Sequence, residues 1–213
     1  MWIIALLLLS SLNLLSQDYK NYKFKSIHIE YISTLGDSAE HGNGSESFWL
    51  DDYGKLSYTH TKEYSIDISN NNQLDSSESI IITTPDSLYS ADMSEKIGTK
   101  QYIGYLVGIG MNYGMAMAPT FSENDTNDFN TMQRFVKDNN GTWFDTDKIL
   151  GKTCYVYELH GTKYWMYKRI ILKTESNFYD IKSVKQAVKI EENITIPQSR
   201  FELPINIDFQ LIE

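Results

Sequence analysis

Apolar and polar residues alternate along much of this chain, which is the pattern of β-strands with one face against a core. The alternation is clearest from Ile27 to Tyr31, from Leu56 to Ile68 and from Phe201 to Phe209. Pro204 interrupts the last run and predicts an edge or a bulge there, because proline has no N–H for a ladder hydrogen bond. With shorter apolar runs between turn signals, the pattern predicts about ten strands.

The stretch from Leu150 to Phe178 is the richest in aromatic and β-branched residues, and it predicts a hairpin. Thr153 to Leu159 forms the first strand, His160 to Lys163 the turn, and Tyr164 to Thr174 a long second strand. On the first strand, one face carries Tyr155, Tyr157 and Leu159, and the other carries Cys154 and Val156. On the second strand, one face carries Tyr164, Met166, Ile170 and Leu172, and the other carries Trp165, Tyr167 and Ile171. Both faces are apolar, so we expect both to be covered, either by a sheet curved round an interior or by a second layer.

Two segments break the strand pattern. Asp125 to Asp138 carries apolar residues three and four positions apart, which predicts an amphipathic helix. Gln101 to Phe121 is apolar and contains four glycines, which oppose a stable isolated helix. Two interpretations of this segment stay open. In the first, the segment is buried under the sheet. In the second, it covers a ligand, because its unbranched methionine side chains adapt to varied apolar partners.

The 213 residues are 41% apolar, which is a globular composition and enough for one domain with its own core. No repeat or linker indicates a second domain. The net charge of −9 argues against a nucleic-acid partner and against an anionic membrane surface, because both are bound by clustered Lys and Arg.

An apolar run from Trp2 to Leu9 predicts a secretory signal peptide, since it is too short to span a membrane. Cleavage after Ser16 gives a signal peptide over 1–16 and a single domain over 17–213; a buried N-terminal helix is the alternative. Cys154 is the only cysteine, so no intramolecular disulfide can form, and no cysteine near the cleavage point can carry a lipid anchor. We expect a periplasmic or secreted protein without stable membrane insertion after removal of the signal.

The sequence contains no recognisable catalytic or metal-binding pattern. Its histidines are His28, His41, His60 and His160. None has a ligand spacing, and no nucleophile elbow, phosphate loop or dinucleotide motif occurs. We therefore expect no enzyme activity, no metal and no cofactor. The residues that could line an apolar cavity are Trp49, Met111, Met115, Met117, Trp165 and Tyr167, although an ordinary β core uses the same residue types.

Four segments resemble the outer-membrane lipoprotein carrier (LolA-like) superfamily, in the secreted form common in Bacteroidetes. They are residues 81–100, a strand–turn–strand unit; 149–159, with Gly-Lys-Thr-Cys; 164–175, an aromatic strand with Leu-Lys; and 201–209, with Phe-Glu-Leu-Pro. The resemblance implies an incomplete antiparallel barrel around helices, with an apolar cavity for acyl chains or another lipid. The segment from Gln101 to Phe121 would then be inner or lid material.

The expected fold is mainly β (α+β), a curved antiparallel sheet or incomplete β-barrel of about ten strands wrapped around one or more helices. The expected function is non-enzymatic binding of a lipid or lipoprotein acyl chain in the half-barrel, in the periplasm and in the context of outer-membrane biogenesis. The alternative is a protein–protein interaction module of the cell envelope with a fully packed core.

Overall fold

The computed structural model describes residues 22–36, 42–67, 73–102, 125–178 and 181–212. The predicted signal peptide over 1–16 and the candidate cavity residues Met111, Met115 and Met117 lie outside the described residues. The division into a signal peptide and one domain over 17–213 therefore stays a prediction.

The described residues form thirteen strands and one α-helix. The strands are β1 Ile27–Leu35, β2 Gly42–Asp51, β3 Leu56–Asp67, β4 Gln73–Thr83, β5 Ser87–Asp92, β6 Ile97–Tyr102, β7 Thr142–Trp143, β8 Asp147–Ile149, β9 Lys152–Leu159, β10 Thr162–Tyr167, β11 Ile170–Phe178, β12 Ile181–Glu192 and β13 Asp208–Ile212. The helix, α1, spans Asp125–Asp138, as predicted.

A single sheet holds the strands in the order β13-β6-β5-β4-β3-β2-β1-β12-β11-β10-β9-β7, and β8 pairs with β9 beside this path. Among the described residues the strand pairs are antiparallel except for β13 with β6, which is parallel. The sheet curls without closing. The predicted fold class, mainly β with a curved sheet around a helix, is confirmed.

The strand count exceeds the ten expected, in part because the predicted long second strand of the hairpin is two strands. β10 and β11 are joined by a turn at Lys168 and Arg169, whose φ angles are +45° and +71°. No glycine, proline or asparagine marks this turn in the sequence, so turn chemistry does not reveal it. The preceding turn lies within its predicted range but is shorter: His160 and Gly161 form it with positive φ, and β10 already begins at Thr162.

The turn at Lys168 and Arg169 changes which residues share a face. Ile170 and Leu172 pack in the same cluster as Trp165, whereas Ile171 packs with Met166. The expectation that Ile170 and Leu172 lie beside Met166 is therefore wrong. A new hairpin with a register shift between Trp165 and Met166 replaces the continuous strand on which that expectation depended.

Both faces of the sheet are covered around β9. On one face lies the main core, to which β1, β2, β11 and β12 also contribute. Its buried members are Phe24, Ile27, Ile29, Tyr31, Phe48, Leu50, Ile149, Cys154, Val156, Trp165, Ile170, Leu172 and Ala187. On the other face, α1 buries Met132 and Val136 against Tyr157 and Leu159. The predicted division of β9 into two apolar faces is confirmed.

α1 ends in a tight turn against β9. The backbone N–H and the side-chain amide of Asn139 donate to the Phe135 carbonyl, and the Gly141 N–H donates to the Val136 carbonyl at 2.7 Å. A Cβ at Gly141 would lie 2.5 Å from the carbonyl oxygen of Glu158. Glycine is therefore required for this close approach, which fixes the C-terminal end of the helix against β9.

The C-terminal segment crosses the sheet before it joins its edge. A 3₁₀ turn spans Gln198–Phe201, and Ile207 and Phe209 then pack in a third apolar cluster formed by β3, β4 and β5. The strand expected from Phe201 to Phe209 begins only at Asp208, since Pro204 cannot continue a ladder. β13 lies at the end of the sheet, and Pro204 lies before it, outside any strand, so the predicted edge or bulge position of Pro204 within a strand is wrong.

Candidate functional site

Trp165, a predicted cavity residue, is packed in the main core. Its side chain is 4% exposed, and its Nε1–H donates to a carboxylate oxygen of Asp147 at 2.9 Å. The ammonium groups of Lys173 and Lys163 lie 4.5 Å and 5.1 Å from the ring centre. The hydrogen bond from Trp165 is the main reason that the pKa of Asp147 lies below its ordinary value. Trp165 thus has protein partners for both its ring and its N–H.

Tyr167, the second predicted cavity residue, belongs to an ion cluster beside the same core. Its hydroxyl donates to Glu192 at 3.1 Å. Glu192 also pairs with Lys152 at 2.5 Å and with Lys168 at 3.1 Å. Burial raises the pKa of Glu192, but the hydrogen bonds from Lys152, Lys168 and Tyr167 outweigh burial, so the pKa lies below the ordinary value.

Trp49, the third described candidate, points away from the main core, because its neighbours Phe48 and Leu50 are buried in that core. Its ring stacks on His28, with centroids 3.6 Å apart and planes 12° apart. The guanidinium of Arg200 lies 4.8 Å from the Trp49 ring centre. The structure therefore does not bring Trp49 together with the other two described candidates.

A polar network surrounds His28, which is 3% exposed. Its Nδ1 lies 3.0 Å from Glu191, and its Nε2 lies 2.7 Å from Glu30 and 3.2 Å from the Ser47 hydroxyl. The Nε1–H of Trp49 donates to the same hydroxyl at 2.9 Å. Hydrogen bonds from Lys189 and then from His28 lower the pKa of Glu191.

Ser47, His28 and Glu191 match the distances of a nucleophile, a base and an orienting carboxylate. However, Glu30 lies closer to Nε2 than Ser47 does, and the Ser47 oxygen already accepts a hydrogen bond from Trp49. Sequence reasoning missed the network because register alone creates it. His28 faces Glu191 on β12 and Trp49 on β2, and no local motif encodes these pairings.

Five aromatic rings form a continuous surface where α1 meets β7, β9 and β10. We call this set the aromatic surface; its members are Phe129, Trp143, Tyr155, Tyr157 and Tyr164. Strand register aligns three of them, because Trp143 faces Tyr157 and Tyr157 faces Tyr164. The rings in these two pairs are nearly parallel, at 12° and 17°, with centroids 5.9 Å and 5.1 Å apart.

The helix adds Phe129, whose ring meets Trp143 edge-on at 5.4 Å and Tyr155 at 5.0 Å. Tyr157 is buried at the base of the surface, and burial raises the pKa of its hydroxyl well above the ordinary value. Phe129, Trp143 and Tyr164 are half-buried, and Tyr155 is 37% exposed. The aromatic surface thus joins a packed base to rings that remain in contact with solvent.

The sequence carried the signal for part of this surface. The face of Tyr155 and Tyr157 and the helix of Phe129 were both predicted. Their convergence was not, because it depends on which strands α1 covers. In the folded protein the helix lies over β9 and the two-residue strand β7. The sequence does not specify this position of the helix.

Cys154 lies on the opposite face of β9 and is fully buried. Burial raises the pKa of its thiol to about 11, so at neutral pH the sulfur is an unreactive thiol. In the part of the chain that the structure describes, no three His, Cys, Asp or Glu side chains converge as metal ligands. No helix among the described residues combines the length and the apolar character needed to cross a membrane.

Comparison with known proteins gives weak similarities. No protein-family model matches the chain, and no curated protein matches its sequence. An uncharacterised conserved protein from Thermus thermophilus has a TM-score of 0.49 at 5% identity, over 95% of this chain and 99% of that one. A structure of PNGF-II has a TM-score of 0.42 at 11% identity, over 88% of this chain and 32% of that one.

A third solved structure, classed as an outer membrane lipoprotein-sorting protein domain from Vibrio parahaemolyticus, has a TM-score of 0.25 at 9% identity, over 89% of this chain and 95% of that one. No family model supports the LolA-like resemblance of the sequence, which stays a prediction. All three TM-scores lie below 0.5, so these similarities support no conclusion about function.

Proposed function

We propose that the protein binds an apolar ligand, a lipid or an acyl chain, on the aromatic surface and catalyses no reaction. One observation carries this proposal: four of the five rings remain partly exposed after α1 has packed on the sheet. Each Å² of apolar surface that a ligand removes from water contributes roughly 25 cal/mol. Tyr and Trp rings also keep a polar tip that can hydrogen-bond a head group.

The proposed site differs from the cavity expected from sequence. Trp165 and Tyr167 use their polar ends within the fold, and the Trp49 ring contacts both His28 and Arg200. We therefore place the ligand on the aromatic surface instead. The role of the three methionines stays a prediction, as does the periplasmic or secreted location that follows from the predicted signal peptide.

The test is a fluorescence titration with a fatty acid brominated along its chain, because bromine quenches a tryptophan only at close range. The protein without residues 1–16 contains Trp49, Trp143 and Trp165. We expect saturable quenching that Trp143→Phe removes and that the matched control Trp49→Phe retains. Absence of quenching, or quenching that survives in Trp143→Phe, would place any ligand elsewhere and reject the proposed site.

A second pair of variants measures the contribution of an exposed ring. Tyr155 and Tyr64 are similarly exposed, at 37% and 42%, but Tyr64 lies on β3, away from the aromatic surface. We expect Tyr155→Ser to weaken lipid binding about fivefold, which corresponds to roughly 1 kcal/mol for an aromatic contact. Tyr64→Ser should leave the affinity unchanged. Equal effects would indicate nonspecific adsorption to the protein surface.

The Ser47–His28–Glu191 arrangement favours one second candidate, a serine hydrolase. A fluorophosphonate probe reacts with an activated serine and therefore distinguishes the two functions. We expect no labelling of Ser47, because Glu30 lies closer to Nε2 of His28 than Ser47 does, and the Ser47 oxygen already accepts a hydrogen bond from Trp49. Labelling of Ser47 that disappears in His28→Gln would replace the proposed function by hydrolysis. If neither lipid binding nor labelling occurs, the interaction module of the cell envelope becomes the favoured function.

A further inference from the structure

The two ends of the sheet differ in how they are protected. At one end, β7 has two residues, packs against α1 and contributes a stacked Trp143. Short, covered strands of this kind protect a sheet from pairing with other chains. At the other end, β13 has five residues, Asp208–Ile212, and contains no lysine, arginine or proline. β13 thus lacks the lysine and proline that often prevent edge pairing, and Asp208 is its one charged residue.

β13 also carries exposed apolar side chains beside its outer edge. Its inner edge pairs with β6, and among the described residues no strand pairs with its outer edge. Leu211 and Ile212 are 50% and 51% exposed, whereas Phe209 packs on Tyr89 with ring centroids 5.4 Å apart. Exposed apolar side chains beside open backbone N–H and C=O groups form a template for another strand.

We propose that the outer edge of β13 pairs with β13 of a second copy of this chain, antiparallel and about a two-fold axis at Gln210. This inference goes beyond the proposed lipid binding and does not depend on it. Two copies of the same edge form a closed, two-fold interface only when the strands run antiparallel. An axis at Gln210, the middle residue of the strand, is the register that pairs all five residues.

The side chains of β13 complement one another in this register. Phe209 faces Leu211 of the partner subunit, which would extend the apolar cluster of Phe209 and Tyr89 across the interface. Asp208 faces Ile212 of the partner subunit, so no carboxylate opposes a carboxylate. Directly opposed like charges would destabilise such a pair, and apolar pairs stabilise it. Two acidic surfaces would usually repel each other, but this register brings no two carboxylates of β13 face to face. Two copies of the acidic chain can therefore pair at this edge.

Cysteine cross-linking tests the register directly. Directly opposed residues of an antiparallel pair have Cα atoms about 4.5–5.5 Å apart, within the range that a disulfide bridges. Gln210→Cys should therefore form a covalent dimer on mild oxidation. The matched control is Ser76→Cys on β4, which is also exposed. The native Cys154 is buried and does not compete.

Light scattering over a concentration series provides the second measurement. We expect the chain to dimerise, and Leu211→Lys to weaken the dimer at least about tenfold, because two lysines would face apolar partners at the axis. A monomer at every concentration up to about 1 mM would overturn the proposal. A dimer that resists Leu211→Lys, or that cross-links no better at position 210 than at position 76, would place the interface elsewhere and overturn it equally. Folding of each variant is checked by circular dichroism, and Gln210→Cys leaves the apolar contacts intact.

Discussion

The guanidinium of Arg200 lies over the ring of Trp49, 4.8 Å from its centre, and joins the C-terminal 3₁₀ turn to the middle of the sheet. The same group lies 5.6 Å from the ring centre of Tyr58 on β3. Burial raises the pKa of Tyr58, and the nearby Arg200 acts in the opposite direction. One exposed side chain therefore attaches the tail to two neighbouring strands.

Arg200→Ala should lower the free energy of unfolding by about 0.5–2 kcal/mol, since a cation over an aromatic ring contributes in this range. Urea denaturation measures the change. Arg134→Ala, an exposed arginine on α1, serves as the control and should change stability by less than about 0.5 kcal/mol. Equal losses in the two variants would contradict a specific role of the Trp49 contact.

Trp165→Ala should lower the free energy of unfolding by about 3–5 kcal/mol, because it leaves a cavity in the main core and removes one of the hydrogen bonds to Asp147. Trp165→Phe should cost less, as it keeps most of the ring. If Trp165 instead lined a ligand site, Trp165→Ala would change the stability of the free protein little and would reduce ligand affinity.

The ion cluster at Glu192 predicts a dependence of stability on pH. The pKa of Glu192 lies below its ordinary value of 4.5 in the folded protein. A group with a lowered folded pKa stabilises the protein above the unfolded pKa and loses this contribution as the pH falls through the folded pKa. Wild type should therefore exceed Glu192→Gln in stability at pH 7, and the difference should shrink as the pH falls below 4.5.

Chemical denaturation at several pH values measures this difference. Glu202→Gln changes an exposed glutamate near the C-terminal turn and provides the control. A difference between wild type and Glu192→Gln that stays constant from pH 7 into the acid range would show that Glu192 contributes through packing and not through its charge.

Cys154 should resist thiol reagents in the folded protein. Its burial and its pKa of about 11 leave almost no accessible thiolate at neutral pH. We expect Ellman's reagent to react with Cys154 only after the protein has been denatured. In Ser76→Cys, the added thiol should react at once in the folded protein. Rapid modification of native Cys154 would show that β9 opens on the time scale of the assay.

Sequence reasoning succeeded where structure depends on local periodicity. The helix of Met132 and Val136 and the two faces of β9 follow from spacings within a few residues, and both formed as predicted. It failed at Lys168 and Arg169, where two residues adopt positive φ without the usual turn composition. That turn inverted the predicted faces of Ile170 and Leu172.

The candidate site was likewise only partly predictable from the sequence. The rings of the aromatic surface were visible in the sequence as separate strand and helix patterns, but their assembly depends on the position of α1. The contact of His28 with Glu191 joins residues from the two ends of the described chain. Such a contact has no signature in a single sequence, because it arises from the pairing of distant strands.

The pairing of β1 with β12 also determines when this protein can fold. Ile27 lies opposite Glu192, so the central strand β1 stays incomplete until almost all of the described chain has been synthesised. Closing so long a loop costs conformational entropy before the contacts are gained, which slows folding. During synthesis one edge of β1 is therefore expected to stay unpaired until β12 has been made, and the complete sheet forms only at the end.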